Sequence, residues 1–528
     1  MNLFVKKTFQ LFLLPALFTQ TLYSQKPSTT RFIDPREAQE HFDHKNFQSA
    51  LRVYKELIKR EPDSYDYNLK IALCYLNTNL NKTQAIQYLE KITNMDKADA
   101  DIWYNLGKAY QYANRFDEAI KAYTKAKEKT SRKDAEKADR AIETCYNGKE
   151  LIKFPLDVTF ENLGKEVNSE YADYYPFATT NESFMVFTSR RKGGKSNSLE
   201  MDGLYPSDIY MTTVKDGNWM KASNIGSPVN TSLDEQAVGL SPDGSTMMVY
   251  LDHIDSLGNI YMSRFVNNKF QKLIKLNSTV NSGFETSGSI SVDGEIIFFA
   301  SERPDGLGGT DLYMAKKLPN GQWALPQNLG KTINTQYNED FPHMSEDGKT
   351  LYFASQGHSS MGGYDIFKSE YDAENNTWSE PQNLGYPINT TDDNYTISFT
   401  QDQRFAYVSA VRAGGMGDLD IWRIRFNTTD QQVTCVSGHI STNDSTQTKI
   451  EATITATDLS NKDRLPMYFT PIATSGKYIM ALTPGRYSIS IESTGTLQYE
   501  PYTETIVILE KGSYQPEIKK DIVLTIKK

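Results

Sequence analysis

Cysteine and histidine are scarce in this 528-residue chain, which contains three Cys and six His. Cys74, Cys145 and Cys435 are odd in number, widely spaced and outside any CxxC pattern. A disulfide framework or a zinc site needs a more regular spacing, so the sequence indicates neither. Free cysteine is among the most buried residue types, and we therefore expect three buried thiols.

Long hydrophobic runs are also missing, apart from residues 11–18. This run is too short to span a bilayer, so we predict no transmembrane span. Lys6 and Lys7 precede the run, and Ser24 offers a cleavage point, which is the pattern of a secretory signal peptide over residues 1–24. No cysteine comes directly after that point, so we predict an exported protein without a lipid anchor.

Basic side chains are in the minority. The chain has 66 acidic and 57 basic residues and a formal net charge of −9. An acidic surface repels a phosphate backbone, so we expect no nucleic-acid partner. The length predicts two to four domains, and the 32 Tyr and 25 Phe favour β-structure.

Recognisable catalytic and metal-binding motifs are missing as well. GGKS at 193–196 imitates a phosphate loop, but Ser189 stands where that motif needs glycine. His343 and Glu346 imitate a zinc motif, yet they fall in a segment that recurs as a repeat. No GxSxG segment occurs. We predict no catalytic residue, no metal site and no cofactor, so the expected function is non-enzymatic.

Residues 35–150 have a helical pattern that recurs three times. The segment 101–126 resembles the tetratricopeptide signature, in which small residues lie where paired helices approach closely. Three helix pairs would form a solenoid, whose concave face usually binds a peptide or a partner protein. The charged run at 125–140 is predicted to be a solvated capping helix. The repeated positions are Phe47, Ala50 and Tyr54 in the first copy, Ala85 and Leu89 in the second, and Phe116, Ala119 and Tyr123 in the third.

Residues 154–426 repeat a second pattern with a period of about 50 residues. Each copy contains an apolar strand, a loop and a triplet of Asp or Asn, an aliphatic residue and an aromatic residue. Four short strands in such a period are typical of a β-propeller blade; we favour five blades, with six as the alternative. The triplets begin at Asp208, Asn259, Asp311, Asp365 and Asp420.

The glycine-rich loop in FASERPDGLGGTDLYMA, residues 299–315, could be a phosphate or metal cradle or a turn between two strands. Similar glycines recur with the blade at Gly362, Gly363, Gly414 and Gly415. A pattern that follows the repeat indicates a structural turn, in which the aspartate side chain accepts hydrogen bonds from backbone amides.

The fifth copy lacks its outer strand, because DIWRIRF at 420–426 runs directly into a polar segment. The missing strand lies before the first blade, in FPLDVTFENLG at 154–164. We predict that this strand completes the last blade, which would close the ring and remove an exposed sheet edge.

A linker at 427–432 leads to a third unit at 433–528. Apolar and polar residues alternate there around Gly and Pro turns, which suggests a small β-sandwich of about seven strands. GKYIMALTPGRYSISI at 476–491 resembles the carboxypeptidase regulatory-like domain, which implies a structural or adhesive module without peptidase residues. The predicted fold is therefore multidomain α + β: an α-helical tetratricopeptide solenoid, a β-propeller and a small β-sandwich.

One recurring constellation is a candidate binding site. In each blade an asparagine is followed four or five residues later by a carboxylate, just before the first strand. A ring of carboxylates at the channel mouth would attract a cation or a basic segment of a partner. The alternative is that each acid caps its own turn. The five carboxylates are Asp173, Glu235, Glu285, Glu339 and Asp393.

The order of these units resembles a family of Bacteroidetes envelope proteins, on the motifs SPDG (241–244) and GGYDIF (362–367) together with the flanking domains. The resemblance implies a periplasmic protein peripherally associated with the outer membrane, related to OmpA-family proteins and to type IX secretion. Family members usually continue into an OmpA-type peptidoglycan-binding domain. This sequence ends in a strand of the sandwich, so we expect any link to peptidoglycan to need a partner.

Two functions are compatible with these features. The first is a non-enzymatic exported scaffold or adaptor that binds protein partners at the periplasmic side of the outer membrane, in type IX secretion or envelope assembly. The second is a propeller that binds or hydrolyses a glycan or peptide at its channel mouth. An enzyme would need carboxylates or histidines that depart from the blade repeat and converge at one mouth.

Overall fold

The computed structural model describes residues 34–95, 98–252, 258–427, 433–444, 446, 449–460, 464–508 and 517–527. The predicted signal peptide and residues 428–432 of the predicted linker lie outside the described residues. From the N-terminus onward, the chain forms a helical solenoid, a five-bladed propeller and a β-sandwich.

The solenoid consists of three antiparallel helix pairs and a long final helix. Close approach within the third pair depends on Gly107, since a Cβ atom there would lie 2.7 Å from the ring of Tyr123. This is the small-against-large packing that the repeat predicts. The helices are α1 (Pro35–Asp43), α2 (Phe47–Leu57), α3 (Tyr65–Leu76), a 3₁₀ turn (Lys82–Gln84), α4 (Ala85–Thr93), α5 (Ala100–Tyr112), α6 (Phe116–Glu128) and α7 (Arg132–Leu151).

Five antiparallel sheets form the propeller, and the prediction of five blades is confirmed. Blades 1 to 5 contain β2–β6, β7–β11, β12–β15, β16–β20, and β21–β23 with β1. The strands are β1 (Val158–Asn162), β2 (Asp173–Ala178), β3 (Phe184–Ser189), β4 (Asp208–Lys215), β5 (Asn218–Trp219), β6 (Ser223–Asn224), β7 (Asp234–Leu240), β8 (Thr246–Asp252), β9 (Asn259–Val266), β10 (Lys269–Phe270), β11 (Ile274–Lys275), β12 (Phe284–Ile290), β13 (Ile296–Glu302), β14 (Asp311–Lys316), β15 (Gln327–Asn328), β16 (Glu339–Met344), β17 (Thr350–Ser355), β18 (Asp365–Asp372), β19 (Thr377–Trp378), β20 (Gln382–Asn383), β21 (Ser398–Phe399), β22 (Phe405–Ala410) and β23 (Asp420–Phe426).

The ring closes through β1, which precedes the first blade in sequence and belongs to the last blade in space. It pairs antiparallel with β23, with Val158 opposite Phe426 and Asn162 opposite Trp422. The predicted closure is therefore confirmed. Because β1 covers the outer edge of β23, the ends of the propeller chain are held together by strand pairing.

The sandwich has eight short strands in two sheets among the described residues, one more than the sequence predicts. The difference arises because two short strands, β30 and β31, pair in parallel with successive parts of the first strand, β24. The strands are β24 (Thr434–Thr442), β25 (Ala452–Asp458), β26 (Met467–Phe469), β27 (Lys477–Leu482), β28 (Gly485–Ser493), β29 (Tyr502–Ile508), β30 (Glu517–Lys519) and β31 (Ile522–Leu524).

All three units share one apolar cluster beside α7. Phe116 and Cys145 of the solenoid, Met361 of the propeller, and Cys435 and Ile479 of the sandwich are buried in it. Cys74 is buried within the solenoid, so the prediction of three buried free thiols is confirmed. Within the described part of the chain, no helix is both long and apolar enough to cross a membrane.

The capping helix α7 is less solvated than its charged sequence predicts. Ala138, Ala141 and Ile142 are buried, and Arg140 is turned toward the propeller. Glu136 and Lys137 face solvent, but the opposite side of the helix packs between the other two units. The helix that caps the solenoid in this chain therefore also packs against the propeller and the sandwich.

Candidate functional site

The glycine-rich loop of blade 3 is held by the aspartate that follows it. The Asp311 carboxylate accepts hydrogen bonds from the amides of Leu307 (2.6 Å) and Gly308 (2.9 Å) and from Asn328 Nδ2 (2.8 Å). Asp365 of blade 4 accepts from the Met361 amide at 2.9 Å in the same way. The prediction of a structural turn is confirmed, and these loops form one face of the propeller.

The asparagine before each blade also has a structural role, which the sequence does not reveal. Asn334 accepts a hydrogen bond from the Leu312 amide (2.8 Å) and donates one to the Leu312 carbonyl (2.9 Å). Each of these asparagines ties the turn between two blades to the third strand of the preceding blade. The equivalent pairs are Asn168 with Ile421, Asn230 with Ile209, Asn281 with Ile260, and Asn389 with Ile366.

Four of the five carboxylates in the candidate ring are buried and hydrogen-bonded within their own blade. Glu339 accepts from the Thr335 amide (2.8 Å), Thr335 Oγ1 (2.7 Å) and Ser355 Oγ (2.8 Å). Asp173 and Glu235 accept from the amide and hydroxyl groups of the turn that precedes them, and Glu285 accepts from the Gly283 amide and from Ser301. This geometry is the turn-capping alternative.

Asp393 differs from the other four, because Asn394 occupies the capping position of blade 5. The Asn394 side chain accepts from the Thr390 amide at 2.7 Å, whereas Asp393 is exposed and accepts from the Tyr364 amide at 2.9 Å. The sequence pattern permits a spacing of four or five residues between the asparagine and the capping residue. The prediction therefore named Asp393, although Asn394 is the capping residue. Of the five predicted residues, Asp393 is the one that faces open space at the mouth.

Burial raises the pKa of Glu339 and that of Glu235 to about 7, although hydrogen bonds to both carboxylates oppose the shift. Each of these two carboxyl groups therefore binds more protons in the folded protein than in the unfolded chain between the ordinary pKa of 4.5 and pH 7. Their contribution to stability is full at low pH and is lost as the pH rises through this window. For one such group the full effect is on the order of 3 kcal/mol.

Glu339→Gln is expected to remove part of this pH dependence. The neutral amide needs no proton, so the Tm of the variant relative to wild type should rise by several degrees between pH 5 and pH 8. Thermal unfolding at both pH values measures this change, with the exposed Glu346→Gln as the control. A Tm difference that stays the same at both pH values would contradict the assignment.

The solenoid lies over the face that carries the glycine-rich loops. Asn79 Nδ2 donates to Asp418 Oδ1 of blade 5 at 2.5 Å, and Lys82 forms an ion pair with Asp392. Gln111 Nε2 donates to the Met361 carbonyl of blade 4 at 3.1 Å. The N-terminal helices thus form a roof over the mouth of the propeller.

Arg140 of α7 makes the densest contact between the roof and the propeller. Its guanidinium donates to the carbonyls of Gln356 (2.6 Å) and Gly357 (2.8 Å) and to Ser360 Oγ (2.9 Å). The group stacks 4.6 Å above the ring of Tyr337. A planar fork that donates several bonds at once fixes orientation as well as distance.

Beside a cavity of about 520 Å³ among α7, the propeller and the sandwich, the described residues leave two cavities between the roof and the glycine-rich face of the propeller. The larger, of about 880 Å³, has Tyr104, Lys108 and Tyr112 of α5 on one side and blade 4 on the other. We call the smaller one, of about 460 Å³, the mouth cavity; Tyr175 and Arg412 are among its propeller residues. Both cavities are in the volume range of ligand pockets, and Asp393 lines both.

Aromatic rings meet across the channel below the mouth cavity. Tyr175 of blade 1 lies 4.5 Å from Phe341 of blade 4 and 5.7 Å from Tyr395 of blade 5, measured between ring centroids. Phe341 and Tyr395 are 5.5 Å apart. These rings give the cavity an apolar floor, while its walls carry charged and amide side chains.

Comparisons with known proteins identify the solenoid repeats. Models described as "Tetratricopeptide repeat" match residues 36–93 and 100–129. A DnaJ homolog subfamily C member 3 homolog from Dictyostelium discoideum is 30% identical over 95 residues, which are 17% of this chain and 19% of that protein. The match therefore spans about a fifth of the relative's length.

Solved structures show only weak likeness. A glycosyl hydrolase from Bacteroides ovatus is 12% identical, with a TM-score of 0.31 over 48% of this chain and 84% of that chain. The MamA protein is 22% identical, with a TM-score of 0.16 over 22% of this chain and 79% of that chain. At these scores neither protein supports an argument about activity.

Proposed function

We propose that this chain is a non-enzymatic exported scaffold that binds protein partners. The observation that carries this proposal is the tetratricopeptide solenoid, matched over residues 36–93 and 100–129, and its placement over a propeller mouth. Solenoids of this class present a concave surface to a partner. Here the solenoid faces the propeller mouth, and the two cavities lie between them.

The contacts between the units suit a scaffold. The shared apolar cluster and the Arg140 contacts hold the solenoid, propeller and sandwich in one arrangement. Four of the five candidate carboxylates are already used within their own turns, so they are not available as a catalytic group. A fixed arrangement of binding surfaces lets one chain hold a partner in a defined orientation.

We place the protein at the periplasmic side of the outer membrane, with envelope assembly or type IX secretion as its setting. This part rests on the signal-peptide pattern and on the family resemblance of the sequence. Mass spectrometry of the N-terminus tests the export step. We expect the purified native protein to begin after Ser24 and to be released with the periplasmic fraction. A protein that retains Met1 and stays with the cytoplasm would contradict export.

In-cell crosslinking of an epitope-tagged chain, followed by mass spectrometry, tests the scaffold. We expect reproducible crosslinks between residues 35–150 or the propeller and one or a few envelope proteins. The untagged strain gives the background. Recovery of the chain without specific crosslinks would contradict the proposal and would direct attention to glycan or peptide ligands of the propeller.

A further inference from the structure

Blades 1, 3 and 5 each carry an arginine at the same position. In blades 1 and 3 this arginine contacts both a serine and a buried carboxylate. In blade 3, Arg303 Nε donates to Ser301 Oγ at 3.0 Å, and its guanidinium lies 3.5 Å from the buried carboxylate of Glu285. In blade 1, Arg191 makes the same contacts with Ser189 and Asp173. The arginine, the serine two residues before it and the capping carboxylate form one repeated unit.

Blade 5 keeps the arginine and lacks both of its partners. The strand pairings Ser301–Asp311 and Ala410–Asp420 show that Ala410 occupies the serine position, which places Arg412 in the arginine position. Asn394 has replaced the capping carboxylate. Among the described residues Arg412 has no ion-pair partner, and its Nε is buried without a hydrogen-bond acceptor.

The remaining contacts of Arg412 hold it at the wall of the mouth cavity. The guanidinium lies 3.4 Å from the ring centroid of Phe160 and donates to the Pro387 carbonyl. Burial lowers its pKa to about 10, which leaves it positively charged at neutral pH. A half-buried guanidinium without an ion pair is unfavourable in the free protein, and a ligand carboxylate would relieve this cost.

A second unpaired cation lies in the neighbouring cavity. Lys108 of α5 is partly buried and, in the described part of the chain, has no carboxylate within ion-pair distance. Burial lowers its pKa. Asp393 lines both cavities, so the cavity with Lys108 and the cavity with Arg412 are neighbours along the solenoid. Asp393 acts on Lys108 from beyond ion-pair distance, so among the described residues each of the two neighbouring cavities holds a cation without an ion pair of its own. This arrangement suits an extended acidic chain that contacts both cavities.

We propose that an extended acidic segment of a partner protein binds between the solenoid and the propeller, with one of its carboxylates paired to Arg412. This inference rests on the proposed scaffold function and specifies its ligand. Arg412 would provide the bidentate pairing that guanidinium groups offer to carboxylates, and Lys108 would attract a second acid as a point charge.

Stability measurements separate a ligand-binding arginine from a structural one. Arg303→Gln leaves the Glu285 carboxylate buried without its partner, so its Tm should fall by roughly 6 °C or more. Arg412→Gln leaves no buried carboxylate without an ion pair, so the Tm of this variant should stay within about 2 °C of wild type. An equal loss in the two variants would show that Arg412 is structural and would overturn the proposal.

Binding is measured with fluorescein-labelled decapeptide libraries on the mature chain. One library carries Asp or Glu at half of its positions, and the other carries Asn or Gln at the same positions. We expect the acidic library to bind more tightly and Arg412→Gln to weaken this binding tenfold or more. Arg404→Gln, which removes an exposed arginine from the same blade, should change it less than twofold. Equal binding of both libraries, or equal effects of the two variants, would overturn the proposal.

Two further outcomes distinguish this inference from the scaffold function. If oligogalacturonate binds through Arg412 while the acidic peptides do not, the carboxylate site takes a glycan and the peptide assignment is wrong. If Arg412→Gln captures the same envelope proteins in cells as wild type, the scaffold stands and the acidic-segment proposal fails. Loss of those crosslinks in Arg412→Gln, but not in Arg404→Gln, is the result that we expect.

Discussion

Arg140→Ala is expected to lower the free energy of unfolding by about 3–5 kcal/mol, since it removes a buried, multiply bonded charge. The variant would remove the Arg140 donor from the Gly357 carbonyl, leave the Gln356 carbonyl with Ser360 Oγ alone, and break the 3.2 Å ion pair with Glu143. Differential scanning calorimetry measures the loss. We also expect the solenoid to unfold at a lower temperature than the propeller in this variant.

Two control variants show whether the loss of stability comes from the guanidinium of Arg140. Glu136→Ala changes an exposed residue of the same helix and should stay within about 0.5 kcal/mol of wild type. Arg140→Lys keeps the charge but loses the planar fork, so its effect should fall between the other two. If Arg140→Ala shifts the unfolding no more than Glu136→Ala does, Arg140 is not the joint between the solenoid and the propeller.

Thr159→Pro should also lower the free energy of unfolding strongly, because it disrupts β1, the strand that closes the propeller ring. Asn427 N donates to the Asp157 carbonyl and Leu163 N donates to the Ile421 carbonyl. Hydrogen-bonded pairs alternate along an antiparallel ladder, so the amide of Thr159 points toward β23. Proline removes that donor, which we expect to lower the free energy of unfolding by about 3 kcal/mol or more.

Thr159→Ala is the matched control, because it removes the same side chain and keeps the amide. Its effect should be limited to the lost hydrogen bonds between the threonine hydroxyl and Asn427. We further expect Thr159→Pro to self-associate in analytical ultracentrifugation, since it frees the edge of β23. Equal stability and equal mass for the two variants would contradict closure by β1.

The repeat patterns of the sequence were sufficient to predict the fold. Tetratricopeptide spacing and recurring triplets are local features, since each depends on residues that pack within one helix pair or one blade. The closing strand could be predicted for a similar reason, because a blade that lacks its outer strand must find one elsewhere. The sandwich was less predictable, since the parallel pairing of β30 and β31 with β24 joins segments about 80 residues apart.

The site could be predicted only in part. Residues that follow the repeat, such as Glu339, stabilise turns within the blade, so the recurring carboxylates are turn caps. The residues of the proposed ligand site depart from the repeat. Arg412 lacks the serine and the carboxylate that its counterparts in blades 1 and 3 contact, and Asn394 occupies the position of the capping acid. An alignment of the five blades contains this signal. The roof over the mouth does not show in the sequence, because contacts such as Gln111 with Met361 join distant segments.

Site-specific photo-crosslinking in cells tests the central claim, that a protein partner is held between the solenoid and the propeller. A photoreactive amino acid at Tyr112 would lie in the larger cavity, and one at the exposed Lys215 would lie at the end of β4 away from the mouth. We predict that Tyr112 crosslinks to a distinct envelope protein and that Lys215 does not. Crosslinks from Lys215 alone, or none from Tyr112 in a folded chain, would contradict the account.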